Sequence, residues 1–196
     1  MIMDHPDWPA FMAAILAEPD DDTVRLVAAD FLEENGDADR AAFIRIQCAL
    51  ARVEAKSLEA DELRKKERAF LGSMSMFRLL WAAEACPELV RVQPPARGDS
   101  PLALPRVEGA ERLTWRRGFV EQVTCPATEW LKHGVAVRRA SPVREVRLHG
   151  CFPVPRDHWY ANLDALRGLP RVWIDMDSEG WLQQWLPGTK VEDIPF

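Results

Sequence analysis

No two cysteines stand in a C-x-x-C spacing; Cys48, Cys86, Cys125 and Cys151 are scattered along the chain. That argues against the dense disulfide framework of small secreted domains, and free, mostly buried thiols are the expectation. No apolar run approaches the roughly 20 residues that span a bilayer, and the first residues, MIMDHPDW, lack the basic patch and apolar core of a secretory signal. A cytoplasmic protein without a membrane partner is therefore expected. G-x-G-x-x-G, G-x-x-x-x-G-K-[ST], H-E-x-x-H and G-x-S-x-G are all missing, which removes the common nucleotide and hydrolase signatures. Tyrosine is nearly absent too, one against eight tryptophans.

What remains is ordinary for a folded chain. Its 196 residues, 47% hydrophobic and 29% charged, suffice for one good core or two small ones, so disorder is not expected. The net charge of −6 conceals an asymmetry: residues 1–39 carry eleven acidic residues and one basic, whereas residues 91–150 carry eleven basic and six acidic. The acidic arm and the basic middle could attract one another or each face a partner, and charge alone does not choose.

The first half reads as helices. DHPDWPAFMAAILAEP has Asp7 as an N-cap candidate, Pro9 early, where its missing N–H is harmless, and a stop at Pro19. DDTVRLVAADFLEENG places Val24, Val27, Ala28 and Phe31 on one stripe and ends at Asn35-Gly36, suited to a left-handed closing residue. The next segment starts at Asp37 or Asp39, with Phe43, Ile46, Leu50 and Val53 on one stripe and Ile44, Cys48 and Ala51 widening it. A charged helix opened by Ser57 and closed by Gly72, and a shorter one holding Phe77, Leu80 and Trp81, complete this part. Four prolines between Arg91 and Glu111 forbid a regular helix. The expected organisation is an acidic helical domain over 1–90, a Pro-rich linker over 91–111 and an α/β domain over 112–196.

Beyond the linker the period changes. FVEQVTCP, VREVRLHG and LPRVWIDM share an L-x-x-L-x-L pattern, with Val120, Val123 and Cys125, then Val143, Val146 and Leu148, then Leu169, Val172 and Ile174. Helical stretches lie between them, around Trp130, Leu131 and Val135 and around Trp159, Leu163 and Leu166. A strand plus a helix every 20 to 29 residues is the leucine-rich-repeat signature, here degenerate and without the Asn that usually follows the strand. A plain three-strand α/β domain is the alternative; both make the strands parallel, because helical crossovers join them.

Phe11 to Glu54, FMAAILAEPDDDTVRLVAADFLEENGDADRAAFIRIQCALARVE, closely resembles the bacterial repeat-companion domain, whose pattern runs roughly L-x-A-I-x-x-x-P-x-D-D-x-x-R-L-V-Y-A-D-W-L-E-E-x-G-D and then E-F-I-R-x-Q-x-x-L-A. Trp115 to Gly150 resembles the segment that joins this domain to leucine-rich repeats in such proteins. Ala29 stands where Tyr is usual, Phe31 where Trp is usual and Ala42 where Glu is usual. The resemblance implies an N-terminal helical bundle followed by a short leucine-rich-repeat-like strand/helix stack with parallel strands. It implies no activity and no cofactor.

Four groups of side chains could carry chemistry or binding. The carboxylates of EPDDDTVRLVAADFLEENGD fail as a calcium loop, because counting from Asp20 the sixth residue is Arg25 and the twelfth Phe31. They fit capping instead, with Asp22 as N-cap and Asp20 and Asp21 beside the positive helix end. Asp30 lies about 60° from Val27 on the helical wheel; a partly buried carboxylate there needs a partner, and Arg45 is the candidate for a structural ion pair. Cys125, His149, Cys151 and His158 are the only metal candidates, in a spacing that matches no standard zinc module. Arg112, Trp115, Arg116, Arg117, Arg138, Arg139, Arg144 and Arg147 could hold phosphates and stack bases, or simply solvate helix faces and pair with the acidic arm. Trp181 and Trp185, four apart, could cap the repeat stack or anchor another protein.

The expectation is a non-catalytic protein-interaction or scaffold module without cofactors, a subunit of a larger bacterial assembly whose partner is another protein. A nucleic-acid-associated accessory using the Arg/Trp middle is the alternative. A metal-dependent enzyme using the Cys/His group is a weaker one.

Overall fold

Prolines, glycines and side-chain caps cut the chain where the sequence suggests. The computed structural model describes residues 5–71, 76–94, 106–175 and 180–194, and these hold eight α-helices, a two-stranded antiparallel sheet and a five-stranded, mostly parallel sheet. The fold is thus mixed α and β. The chain divides into two compact units, Met1–Ala85 with Trp115–Phe119, and Cys86–Thr114 with Val120–Phe196.

The first unit contains α1 (Trp8–Ala17), α2 (Asp22–Glu34), α3 (Ala38–Arg52), α4 (Leu58–Leu71) and α5 (Met76–Ala85). Helix α1 stops before Pro19, at Ala17. The N-cap of α2 is Asp21, not Asp22: the Asp21 carboxylate accepts from the Thr23 amide at 2.7 Å, while Asp22 occupies the first turn. Gly36 closes α2 with φ 89°, the left-handed conformation only glycine adopts freely. Asp37 caps α3, and the Ser57 hydroxyl accepts from the Ala60 amide at the start of α4. Gly72 lies outside the described residues.

The buried faces are rotated from those expected. Helix α2 buries Arg25, Ala28, Ala29 and Leu32, leaving Val27 50% exposed and Val24 and Phe31 half-buried. Helix α3 buries Arg40, Ala41, Phe43, Ile44, Gln47 and Cys48, with Ile46, Leu50 and Val53 only half-buried. In both helices the buried stripe includes polar side chains, Arg25 in α2 and Arg40 and Gln47 in α3, which no apolar-periodicity rule selects. Small side chains at Ala28, Ala29 and Ala41 lie in one core cluster with Trp8, Met12, Ile15, Leu32, Ile44, Cys48 and Phe119.

Arg25 is fully buried and donates to carbonyls: Nη2 to Pro19 O at 2.7 Å, and Nη1 to Arg117 O at 3.1 Å and Arg116 O at 3.3 Å. Its guanidinium lies 5.2 Å from the Phe119 ring centre. The buried Gln47 amide completes the arrangement, with Nε2 donating to Trp115 O at 3.2 Å and Oε1 accepting from Gly118 N at 2.7 Å. Gly118, φ 85°, is required twice over, since a Cβ there would stand 2.2 Å from Ile44 Cγ1. Arg40, also buried, pairs with Glu84 at 2.9 Å and lies over Trp8 and Trp81 at 5.6 and 5.9 Å; burial lowers its pKa, with Glu84 and Asp37 opposing.

In the second unit, segment 91–111 is not a bare linker: β1 (Arg91–Gln93) pairs antiparallel with β2 (Arg106–Glu108), and the division between units falls at Ala85/Cys86. Strands β3 (Leu113–Arg116) and β4 (Phe119–Pro126) are joined by only Arg117 and Gly118, both at positive φ, a turn that only antiparallel strands can share. Then follow α6 (Ala127–Ala140), β5 (Glu145–His149), α7 (Arg156–Ala161), β6 (Arg171–Ile174), α8 (Trp181–Trp185) and β7 (Lys190–Asp193). The sheet order is β3-β4-β5-β6-β7, and the last three pairings are parallel. Val123, Val146, Val172 and Val191 stand side by side across it, as do Cys125, Leu148, Ile174 and Asp193. β7, the fourth parallel strand, was not expected.

Arg25→Ala removes the donor for three carbonyls and leaves a cavity, so it should cost about 3 kcal/mol or more in urea unfolding. A loss below about 1 kcal/mol would contradict the role given to Arg25. Gly118→Ala should be comparably damaging, through Ile44.

Candidate interaction site

Three partly exposed aromatics of the second unit, Tyr160, Trp181 and Trp185, gather on α7 and α8. Pro155 precedes α7, and Trp159 anchors it, 1% exposed. In α8 the sequence WLQQWL repeats every four residues, so Leu182 and Leu186 go fully inside while Trp181 is half-buried and Trp185 is 49% exposed. Gln183 ties α8 to the last strand, Nε2 donating to Thr189 O at 2.8 Å and Oε1 accepting from Val191 N at 3.0 Å. Tyr160, 39% exposed, meets both tryptophans edge to face, with ring centres 5.8 Å from Trp181 and 5.2 Å from Trp185. Trp181 also contacts Trp159 at 6.0 Å and carries the Arg156 guanidinium at 5.6 Å. The face thus pairs apolar area with a polar handle, the composition of interface anchors. Tyr160 and Arg156 were missed in the sequence; the only signal available was their place on the helix that carries Trp159.

The eight residues considered for nucleic acid are divided between the two units. Trp115 is buried against Phe43, with ring centres 5.9 Å apart, and it belongs with Arg116 and Arg117 to the first unit, the others to the second. Arg117 meets Asp20 at 3.3 Å, Arg112 meets Glu129 at 2.7 Å and Arg147 meets Glu145 at 3.1 Å. Arg138 donates to the carbonyls of Asp164 and Ala165, and burial lowers its pKa. Arg139 is exposed on α6, and Arg144 is half-buried before β5. For Arg112, Arg117, Arg138 and Arg147, carboxylates and carbonyls take up charge that phosphates would need.

Nor do the Cys/His candidates converge: Cys125 and Cys151 are fully buried, whereas His149 and His158 are exposed. Among the described residues no three His, Cys, Asp or Glu side chains come close enough to hold a metal ion. Burial pushes the thiols of Cys86, Cys125 and Cys151 up to about 12, and burial with the nearby Asp22 carboxylate pushes Cys48 up to about 11. A nucleophilic thiol needs the opposite shift. Cys151 has a structural part, its Sγ donating to Leu148 O at 3.4 Å. Asp175 was missed: its carboxylate accepts from Gly150 N at 2.6 Å and Cys151 N at 3.0 Å. Burial opposes its ionisation, but the Cys151 and Gly150 amides outweigh it and hold the group below the usual carboxylate range.

Arg45 reaches Asp30 at 2.7 Å and Glu33 at 2.6 Å, with Asp30 65% exposed. The pair stands in solvent, because the rotation of α2 turns Val27 and Asp30 outward together.

Asp30→Asn should therefore change stability by less than about 1 kcal/mol, and a larger loss on urea unfolding would place the pair in a far less solvated setting. The cysteines should resist a thiol reagent in the native protein at pH 8 and react at once in guanidinium; fast native labelling would contradict their burial. Because folding raises their pKa values, an unfolded chain gives up these protons first, from about pH 8.5. The stability tied to the neutral thiols is full below that pH and falls as pH climbs toward about 11 for Cys48 and about 12 for the rest.

No helix among the described residues is long and apolar enough to cross a membrane. Comparison with protein-family models, with curated proteins and with solved structures finds no match.

Proposed function

We propose that the chain is a non-catalytic protein-interaction or scaffold module, a subunit of a larger bacterial assembly. Its first unit is read as a helical bundle of the repeat-companion kind and its second as a short leucine-rich-repeat-like stack, closed by α8 and β7. The stack reading draws support from the in-register column of Val123, Val146, Val172 and Val191. Cys151 adds to it, standing three residues beyond Leu148, where such repeats carry Asn or Cys.

The observation that carries the functional reading is the partly exposed cluster of Tyr160, Trp181 and Trp185 beside Arg156. Aromatic and arginine side chains of this kind supply most of the binding energy at protein interfaces. Leu182 and Leu186 already hold α8 in place, so the outward tryptophan is free to serve a partner.

The full chain, immobilised and exposed to lysate of its source organism, should retain a protein that mass spectrometry identifies. Trp185→Ser should lower that retention at least about tenfold while changing stability by no more than about 1.5 kcal/mol. Equal retention by both chains would remove the aromatic face from the interaction. A salt-dependent shift of a DNA or RNA duplex, abolished by Arg116→Glu with Arg117→Glu, would favour the nucleic-acid reading instead.

A further inference from the structure

The first unit carries a second surface of different chemistry. Ala10, Phe11 and Ala14 of α1 and Thr23, Val24 and Val27 of α2 line a groove of about 340 Å³. Phe11 and Val24 form its inner side, packed on the core, and half of Val27 is open to solvent. Phe11 is fixed by Phe31, with ring centres 4.6 Å apart.

Carboxylates continue the two lining strips at helical spacing. Asp7 lies three residues before Ala10 and Glu18 four after Ala14; Asp30 lies three after Val27 and Glu34 seven after it. All four are exposed. Arg45 meets Asp30 from outside α1 and α2, but those two helices contain one basic residue, Arg25, and it is buried.

We infer that this groove receives a cationic amphipathic helix of a partner protein, its apolar side chains between α1 and α2 and its lysines or arginines over the carboxylates. A small-molecule site would need a few converging polar groups to orient its ligand, and the lining offers only the Thr23 hydroxyl. The acidic rim repels nucleic acid and anionic lipid surfaces. Two copies meeting through this same face would bring their acidic rims together. A helix with apolar anchors at i, i+3, i+4 and i+7 is the mode by which grooves between helices are filled, and opposite charge at the ends fixes its register. This surface goes beyond the aromatic face and does not depend on it.

The test uses the full chain and a fluorescein-labelled peptide that repeats Leu-Lys-Lys-Leu-Leu-Lys-Leu, with a counterpart carrying Glu for every Lys. Fluorescence anisotropy should show saturable binding of the lysine peptide and none of the glutamate peptide. Val27→Asn and Ala14→Gln leave net charge unchanged at exposed helix positions; each should weaken binding at least about tenfold, and Glu18→Gln with Glu34→Gln about threefold. Circular dichroism and a thermal melt confirm that each variant is folded, and the two groove variants stand in for one another if either fails. Absence of saturable binding, equal binding of the glutamate peptide, or unchanged affinity of a folded groove variant would overturn the inference. So would self-association of the unliganded chain in sedimentation that Val27→Asn abolishes, since the occupant would then be a second copy. If the peptide fails while lysate protein is still retained through Trp185, the groove assignment falls and the scaffold reading stands; the reverse result separates them the other way.

Discussion

A guanidinium with no exposed surface, that of Arg25, is the constraint on which the helical unit depends. Burying a charge is costly unless it is hydrogen-bonded, and here both Nη atoms donate to carbonyls, those of Pro19, Arg116 and Arg117. That choice reaches outward in three directions. It fixes the turn before α2, it turns α2 so that Ala28, Ala29 and Leu32 face inward, and it seats the Trp115–Phe119 tip against α2 and α3. Gln47 reads the same tip from α3, one amide serving as donor to Trp115 and acceptor for Gly118. The tip has little freedom to be anything else, since Gly118 leaves no room for a Cβ beside Ile44.

The same rotation decides what the outer surface offers. With Arg25 inside, Val27 and Asp30 lie outside, so an apolar strip and a carboxylate share the exposed side of α2. The acidity of the N-terminal arm is then partly used: Asp21 caps a helix, Asp20 meets Arg117 and Asp30 meets Arg45. Glu18 and Glu34 stay exposed. In the second unit, aliphatic side chains stand at matching register across the sheet, and Trp159, Tyr160, Trp181 and Trp185 collect on α7 and α8. Leu182 and Leu186 hold α8 while Trp185 faces out, so fold and surface are served by different residues four apart.

Helix positions were legible because their signals are local. Pro19, Gly36, Asp37 and Ser57 mark ends through backbone geometry and caps, which act within a few residues. Parallel strands followed from helical crossovers between apolar segments. Which side of a helix goes inside was not legible. Val24, Val27 and Phe31 formed the better apolar stripe on paper, and the stripe containing Arg25 won because its acceptors include residues more than ninety positions away. The aromatic site was half legible: Trp181 and Trp185 were visible by spacing, whereas Tyr160 and Arg156 join them only through tertiary packing. The arginine set shows the converse, since residues clustered in sequence were dispersed to separate carboxylates and carbonyls.

By itself the sequence determined where most of the helices lie, that the later strands run parallel, and that charge is segregated along the chain. Each rests on forces that act over a few residues or on simple composition. The tertiary structure alone decided that Arg25, Arg40 and Gln47 lie inside and Val27 outside, that His149 and His158 are exposed, and which aromatics face outward. Those outcomes depend on finding hydrogen-bond acceptors and packing partners far away in the chain, and such pairings are fixed only when the segments meet.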